Sequence, residues 1–265
     1  MKNNIVSQKE WIAARKELLR KEKESVRQLD KLSIARRKLP WVEVGKNYVF
    51  DGPEGKVTLA ELFAGRGQLA VYHFMFGPDW EEGCPSCSFV SDHLDGTIPH
   101  LAARDVTLVA VSRAPFAKVE GFKKRMGWRF NWVSSHGSDF NADFHVSFTN
   151  EEMASGAVNY NYNMQEFPSA EAPGLSIFYK SPDGRIFHTY STYSRGLDQF
   201  LATYRILDAV PRGRDEDKLS FPMAWVRYHD RYETNEFADA NMPYWPEVAP
   251  AAAGGCGCGK TEAHA

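Results

Sequence analysis

Blocks of apolar and polar positions along this chain predict an alternating order of helices and strands. Trp11, Leu18, Leu19, Val26, Leu29 and Leu32 recur at approximately helical spacing among charged neighbours. Ser7 followed by Glu10 is a capping-box start for that helix, and Leu39-Pro40 ends it. Lys46–Phe50 and Lys56–Leu59 flank Asp51-Gly-Pro-Glu-Gly55 as a short hairpin, and a helical turn follows over 59–63. The run Gln68-Leu-Ala-Val-Tyr-His-Phe-Met-Phe76 reads as a buried strand. Val90, Leu94, Ile98 and Leu101 space as a helix that Gly96 and Pro99 should kink or split. Val106–Val111 is a second strand, Pro115–Met126 a helix, and Phe130–Ser134 a third, shorter strand. Leu175–Tyr179 and Ile186–Tyr190 flank Ser181-Pro-Asp-Gly184, a strong hairpin signal. Leu197 to Val210 is the last helix, broken by Pro211.

This order predicts an α/β sandwich with a mixed sheet. Strands 68–76 and 106–111 run parallel through a helical crossover, and the hairpin at 175–190 supplies the antiparallel edge. The expected boundaries are a helical extension over 1–40 and a core domain over 41–211. An aromatic-rich extension over 212–248 packs on that domain, and a Gly/Cys tail covers 249–265. The stretch 135–173, rich in Asn, Ser and acidic residues, is long for a loop and reads as an insertion or lid.

Charge changes the picture in one place. Residues 1–40 hold twelve Lys/Arg against five Asp/Glu, a net +7, so the remainder of this −2 chain carries −9. A basic arm on an acidic body is more simply a self-docking pair than a nucleic-acid tail. The first helix is expected to pack on the body or on another subunit, and in the second case it would make a homo-oligomer. The overall balance gives no reason to expect nucleic acid or a membrane surface as partner. The start has no apolar signal region and no window approaches a membrane span, so a cytoplasmic location is expected. Four cysteines are too few for a secreted disulfide scaffold, and in a reducing compartment paired cysteines point to redox chemistry or metal.

The chemistry is concentrated in Gly83-Cys84-Pro85-Ser86-Cys87-Ser88, at a strand-to-helix junction. A helix N-terminus favours thiolate at the first cysteine, and the two-residue spacer lets the second sulfur close a disulfide. Cys84 is therefore the expected attacker and Cys87 the resolver. Pro85 at the first helical position costs no hydrogen bond. A haem attachment would need His after the second Cys, where Ser88 stands. Cys256 and Cys258, within Gly254-Gly-Cys-Gly-Cys-Gly259, are a candidate redox tail or a soft-metal site. The aromatic and charged run Trp225–Tyr232 reads as a packing surface. Arg113, Arg185 and Arg195 each lie near strand ends, and none can be singled out for the dithiol.

At these residues the chain resembles the thioredoxin superfamily and, more closely, the bacterial thioredoxin-like family called domain of unknown function 899. The resemblance rests on Gly83–Cys87 after Tyr72–Trp80, and on Leu108–Arg113. It continues through Phe187–Ser191, Arg195–Asp198 and Gly213–Glu216, and covers about residues 5–230. It implies a thioredoxin-like sandwich with an extra N-terminal helix and a C-terminal extension. It also implies a thiol–disulfide oxidoreductase without organic cofactor, acting on a protein or small-molecule disulfide or a peroxide, with an external reductant. Two departures stand out. Peroxiredoxins carry Thr and Pro three and seven residues before the attacking Cys, where this chain has Glu81 and Gly77. Thioredoxins carry Trp directly before the first Cys, where this chain has Gly83. The resemblance also implies a proton acceptor beneath the dithiol, for which His73 is the candidate. It implies a cis-proline facing the dithiol, for which Pro173 is the candidate. The alternative from a different class is a non-enzymatic thiol module that carries zinc or copper through its cysteine pairs.

Overall fold

A computed structural model describes residues 4–232. Helix α1 (Gln8–Arg37) opens on the Ser7/Glu10 capping box, with Arg36 and Arg37 in its last turn. Three short strands follow: β1 (Val42–Glu43), β2 (Val49–Gly52) and β3 (Gly55–Thr58). The β2–β3 turn needs the left-handed φ of 108° that Gly55 supplies. Helix α2 (Leu59–Leu62), capped by Thr58, leads to β4 (Gln68–His73). The crossover helix splits into α3 (Pro85–Asp95) and α4 (Ile98–Ala102) around Gly96, as the pattern predicts. Then come β5 (Val106–Ser112), α5 (Phe116–Arg125) and β6 (Asn131–Ser134).

The 135–173 stretch holds α6 (Phe140–Asp143), α7 (Asn150–Ala154) and a small hairpin of β7 (Val158–Tyr160) and β8 (Asn163–Gln165). The chain closes with β9 (Gly174–Lys180), β10 (Ile186–Tyr193) and α8 (Ala202–Leu207). The expected last helix is shorter than its apolar pattern suggests. Ser194–Phe200 is a 3-10 turn, and Leu201 at φ −102°, ψ 94° breaks the backbone before α8 begins.

One sheet of eight strands runs in the order β1-β10-β9-β4-β5-β6-β2-β3. The β4–β5 and β5–β6 pairs are parallel and all the others antiparallel. With helices on the faces of this mixed sheet, the fold is a thioredoxin-like sandwich. Strand β4 is central and buried on both sides, and its side chains alternate between two cores. Ala70 and Tyr72, with Phe74 just beyond, face a core shared with α3, α5, α8 and residues 223–228. Leu69 and Val71 face a second core with Phe63, Phe140, Phe144, Val146 and Phe148. The 135–173 stretch therefore fills the second face of the sheet instead of lidding the first.

Helix α1 departs from the expectation of a self-docking arm: none of its residues is buried. Arg36, in its last turn, lies 5.5 Å over the Tyr190 ring. Charge of opposite sign on the body is not enough to dock a helix whose apolar stripe meets no apolar surface there.

Candidate functional site

Strand β4 ends at His73, and residues 74–83 carry the chain to the start of α3. Phe74 and Phe76 keep close to β5: the Phe74 amide donates to the Val111 carbonyl at 2.9 Å, and the Ala114 amide to the Phe76 carbonyl at 2.8 Å. The Cys84 amide donates back to Met75 at 3.0 Å, which returns the loop to the strand end. Cys84 is the N-cap of α3, at φ −57° and ψ 131°, with Pro85 at the first helical position. Cys84 as a residue is partly exposed, whereas Cys87, one turn into the helix, is 2% exposed.

The two thiols have opposite electrostatics. The Cys87 thiol and the Ser86 and Cys87 amides at the helix start bring Cys84 down to about 7 against the opposing cost of burial. Burial first, and then the Cys84 charge, push Cys87 well above the usual thiol range. The Met75 amide, donating to Cys87 Sγ at 3.5 Å, and the Tyr72 phenol pull it partway back. A less buried, more acidic thiol beside a fully buried, weakly acidic one is the division of labour a thiol-exchange pair requires.

Tyr72 is the residue that sequence reasoning missed. It is 1% exposed, on the same face of β4 as Cys87, and its Oη makes no formed hydrogen bond. The Cys87 thiol faces that hydroxyl, and burial holds the phenol well above its ordinary range, so it keeps its proton. Ser91, one turn beyond Cys87, has a second buried hydroxyl without a partner. Both line a narrow void closed by Leu94, Leu108, Ala110 and Phe130.

His73 is on the other face. It stacks on Phe140 and Phe144, and its Nε2 lies 2.8 Å from Ser176 Oγ. Ser176 continues through Ser191 to His188 at 2.7 Å per step. Burial, with His188 nearby, pushes His73 down to about 3, so the ring is neutral. The structure therefore does not bring His73 to the dithiol, because one step along a strand changes the face.

The expectation of a cis bond before Pro173 is corrected: no peptide bond among the described residues is cis. The approach to β9 explains the trans geometry. The Ala172 amide donates to the Val146 carbonyl and the Phe148 amide to the Ala170 carbonyl, each at 2.9 Å, and Glu171 bridges Ser147. The Pro173 carbonyl accepts from Tyr160 Oη at 2.7 Å. The segment is thus held extended straight into β9, with no turn for a cis bond to make.

None of the three candidate arginines has a free guanidinium. Arg113 forks onto Glu171, with Nε and Nη2 at 2.7 and 2.6 Å from Oε1. Glu171 is 2% exposed, and Ser147 donates to its other oxygen at 2.5 Å. Arg185 pairs with Asp183, and Arg195 with Asp198. Cys256 and Cys258 lie outside the described residues.

Gly83 explains one departure noted in the sequence. A Cβ there would sit 2.5 Å from Phe74 and 2.9 Å from Phe122, so no side chain fits where thioredoxins place Trp. The space belongs to an aromatic cluster that the C-terminal segment completes: Tyr228 Oη donates to the Gly83 carbonyl at 2.7 Å. Arg125 bridges Glu82 and Asp230, Arg231 adds a second bond to Glu82, and both guanidiniums lie over the Tyr228 ring. Gly83→Ala should cost about 1–3 kcal/mol by overpacking between two buried rings. Urea denaturation of the reduced protein measures this.

Among the described residues, no group of three or more His, Cys, Asp or Glu is placed to hold a metal ion. None of their helices is long and apolar enough to cross a membrane.

Residues 1–232 match the family described as a bacterial protein of unknown function, DUF899. The chain belongs to that family. No curated protein matches this DUF899 chain. Among solved structures it is similar to peroxiredoxin Q from Xanthomonas campestris, at 14% identity and a TM-score of 0.41, over 64% of this chain and 98% of that one. It is also similar to peroxidoxin BcpB from Mycobacterium tuberculosis, at 15% identity and a TM-score of 0.41, over 63% and 97% of the two chains.

Proposed function

We propose that this protein is a thiol–disulfide oxidoreductase working through Cys84 and Cys87. The observation that carries the reading is the asymmetric pair at the start of α3: a partly exposed thiol held at about 7 and a buried thiol held above its usual range. The Cys84 thiolate attacks one sulfur of a substrate disulfide, forms a mixed disulfide and releases the first substrate thiolate. Cys87 then attacks Cys84 Sγ, closes Cys84–Cys87 and releases the second substrate thiolate, which takes up the Cys87 proton. Two electrons pass to the substrate, and an external dithiol returns them. Tyr72 enters at the second step, where its phenol donates to the Cys87 thiolate as that charge forms in a buried place.

Cys256 and Cys258 are the candidate dithiol for that return. Arg231 and Tyr228 hold the chain beside Glu82 and Gly83, and Cys256 lies twenty-four residues beyond Tyr232. A thiol substrate or its reductant is the partner this chemistry needs.

Alkylation at several pH values, read peptide by peptide by mass spectrometry, tests the reading. Cys84 should react first, with a rate rising through a midpoint near 7, because only the thiolate attacks and it accumulates as pH rises past that value. After mild oxidation Cys84–Cys87 should close, and any Cys256 or Cys258 in the bond will appear in the same spectra. Fastest alkylation at Cys87 would reverse the two roles. About one equivalent of zinc or copper in fresh protein, lost when either cysteine pair is replaced, would favour the metal carrier instead.

A further inference from the structure

Helix α1 spans 30 residues, about 45 Å at 1.5 Å per residue, and buries none of them. Trp11, Leu18, Leu19 and Val26 remain between 38% and 56% exposed on a single stripe. A charged helix of this length owes most of its stability to packing of an apolar face, and here that face is uncovered. Two charges sit inside the stripe. Arg15 and Glu22, seven residues apart, reach toward one another across Leu18 and Leu19 and bond at 2.8 Å. Even so, Arg15 Nη1 is buried against the helix with no acceptor.

We propose that α1 pairs antiparallel with α1 of a second copy of this chain, about a two-fold axis between Leu18 and Leu19. In that register Arg15 of each copy faces Glu22 of the other, twice, by symmetry. The same register sets Leu18 against Leu19 and Trp11 against Val26, so apolar and ionic positions match over the segment 11–26, while Leu29 beyond it lies opposite Gln8. A parallel pair would set Arg15 against Arg15 and Glu22 against Glu22. Sliding the antiparallel pair by one heptad does the same to one of the two residues. Of these alignments only the central register satisfies both, with the Arg15–Glu22 bond within each chain exchanged for two between the chains. The occupant is a second copy because the stripe is complementary to itself and the two charges specify the alignment.

Sedimentation of the full chain tests this. The run belongs at about 0.15 M salt, where screening over about 8 Å limits repulsion between the basic flanks. At about 50 µM the wild type should sediment as twice its 30.0 kDa chain mass. Arg15→Glu alone and Glu22→Arg alone should each weaken the dimer at least about tenfold, because each sets like charges in the seam. An equal mixture of the two variants should recover it. Neither position belongs to the core, so circular dichroism of each variant should match wild type. For orientation, Trp11→Cys and Val26→Cys chains, with the native cysteines replaced by Ser, should cross-link to one another on oxidation and not to themselves. A monomeric wild type, charge variants that dimerise as wild type does, or cross-linking of Trp11→Cys chains to themselves would each overturn the pairing.

Discussion

Cys84→Ser should abolish disulfide exchange, with a loss on the order of a thousandfold or more, because serine at neutral pH offers no anion to attack sulfur. Cys87→Ser should behave differently. Attack by Cys84 survives, and the reaction should halt at a mixed disulfide that adds one substrate mass to the protein. The contrast follows from burial: only Cys84 is open to a partner, and only Cys87 lies within the helix turn that can displace it. Both variants belong in a background with Cys256 and Cys258 replaced by Ser, so that trapped mass reports the motif alone. Serine at 87 keeps an acceptor for the Met75 amide, so stability should change little. If Cys87→Ser turns over as fast as wild type, resolution comes from elsewhere and the pair is not the working unit.

The parts of the fold that follow local rules were legible in the sequence. The dithiol at the head of α3 follows from an apolar run, a turn and a helix start. The split at Gly96 follows from glycine and Pro99 in a helical pattern. What was not legible depends on parity and long-range packing. Strand β4 is apolar on both faces, so its pattern carries no sign of which alternate residues lie under α3, and His73 and Tyr72 differ by a single step. The trans bond before Pro173 depends on pairing with residues 146–148, which no local signal announces. The hydrogen bond from Tyr228 to Gly83 spans 145 residues, and the aromatic run around it shows only that it packs somewhere. The absence of a side chain at Gly83 is the trace of that packing in the sequence, and it becomes readable once Phe74 and Phe122 are in place.

Tyr72→Phe should separate stability from catalysis by moving them in opposite directions. In the dithiol form the hydroxyl is buried without a partner, so its removal relieves a desolvation cost of about 1–3 kcal/mol. The variant should therefore be as stable as wild type or more so. When Cys87 ionises, the same hydroxyl gains a charged acceptor, an interaction of about 1.5–3 kcal/mol. Its loss should slow closure of Cys84–Cys87 by roughly tenfold to a hundredfold, since 1.36 kcal/mol corresponds to one pKa unit or a tenfold change in rate. Cys87 is an acid whose ionised form the phenol favours, so deleting the phenol should raise its titration midpoint further, toward higher pH. Peptide-resolved alkylation of Cys87 in a Cys84→Ser background reads that midpoint without any substrate. Attack by Cys84, measured as the first formation of mixed disulfide, should be nearly unchanged, because Tyr72 faces the Cys87 thiol and not the Cys84 thiol. A merely packing phenol predicts unchanged titration of Cys87 and unchanged closure. That result would leave Tyr72 as core and the Met75 amide as the donor to the resolving thiolate.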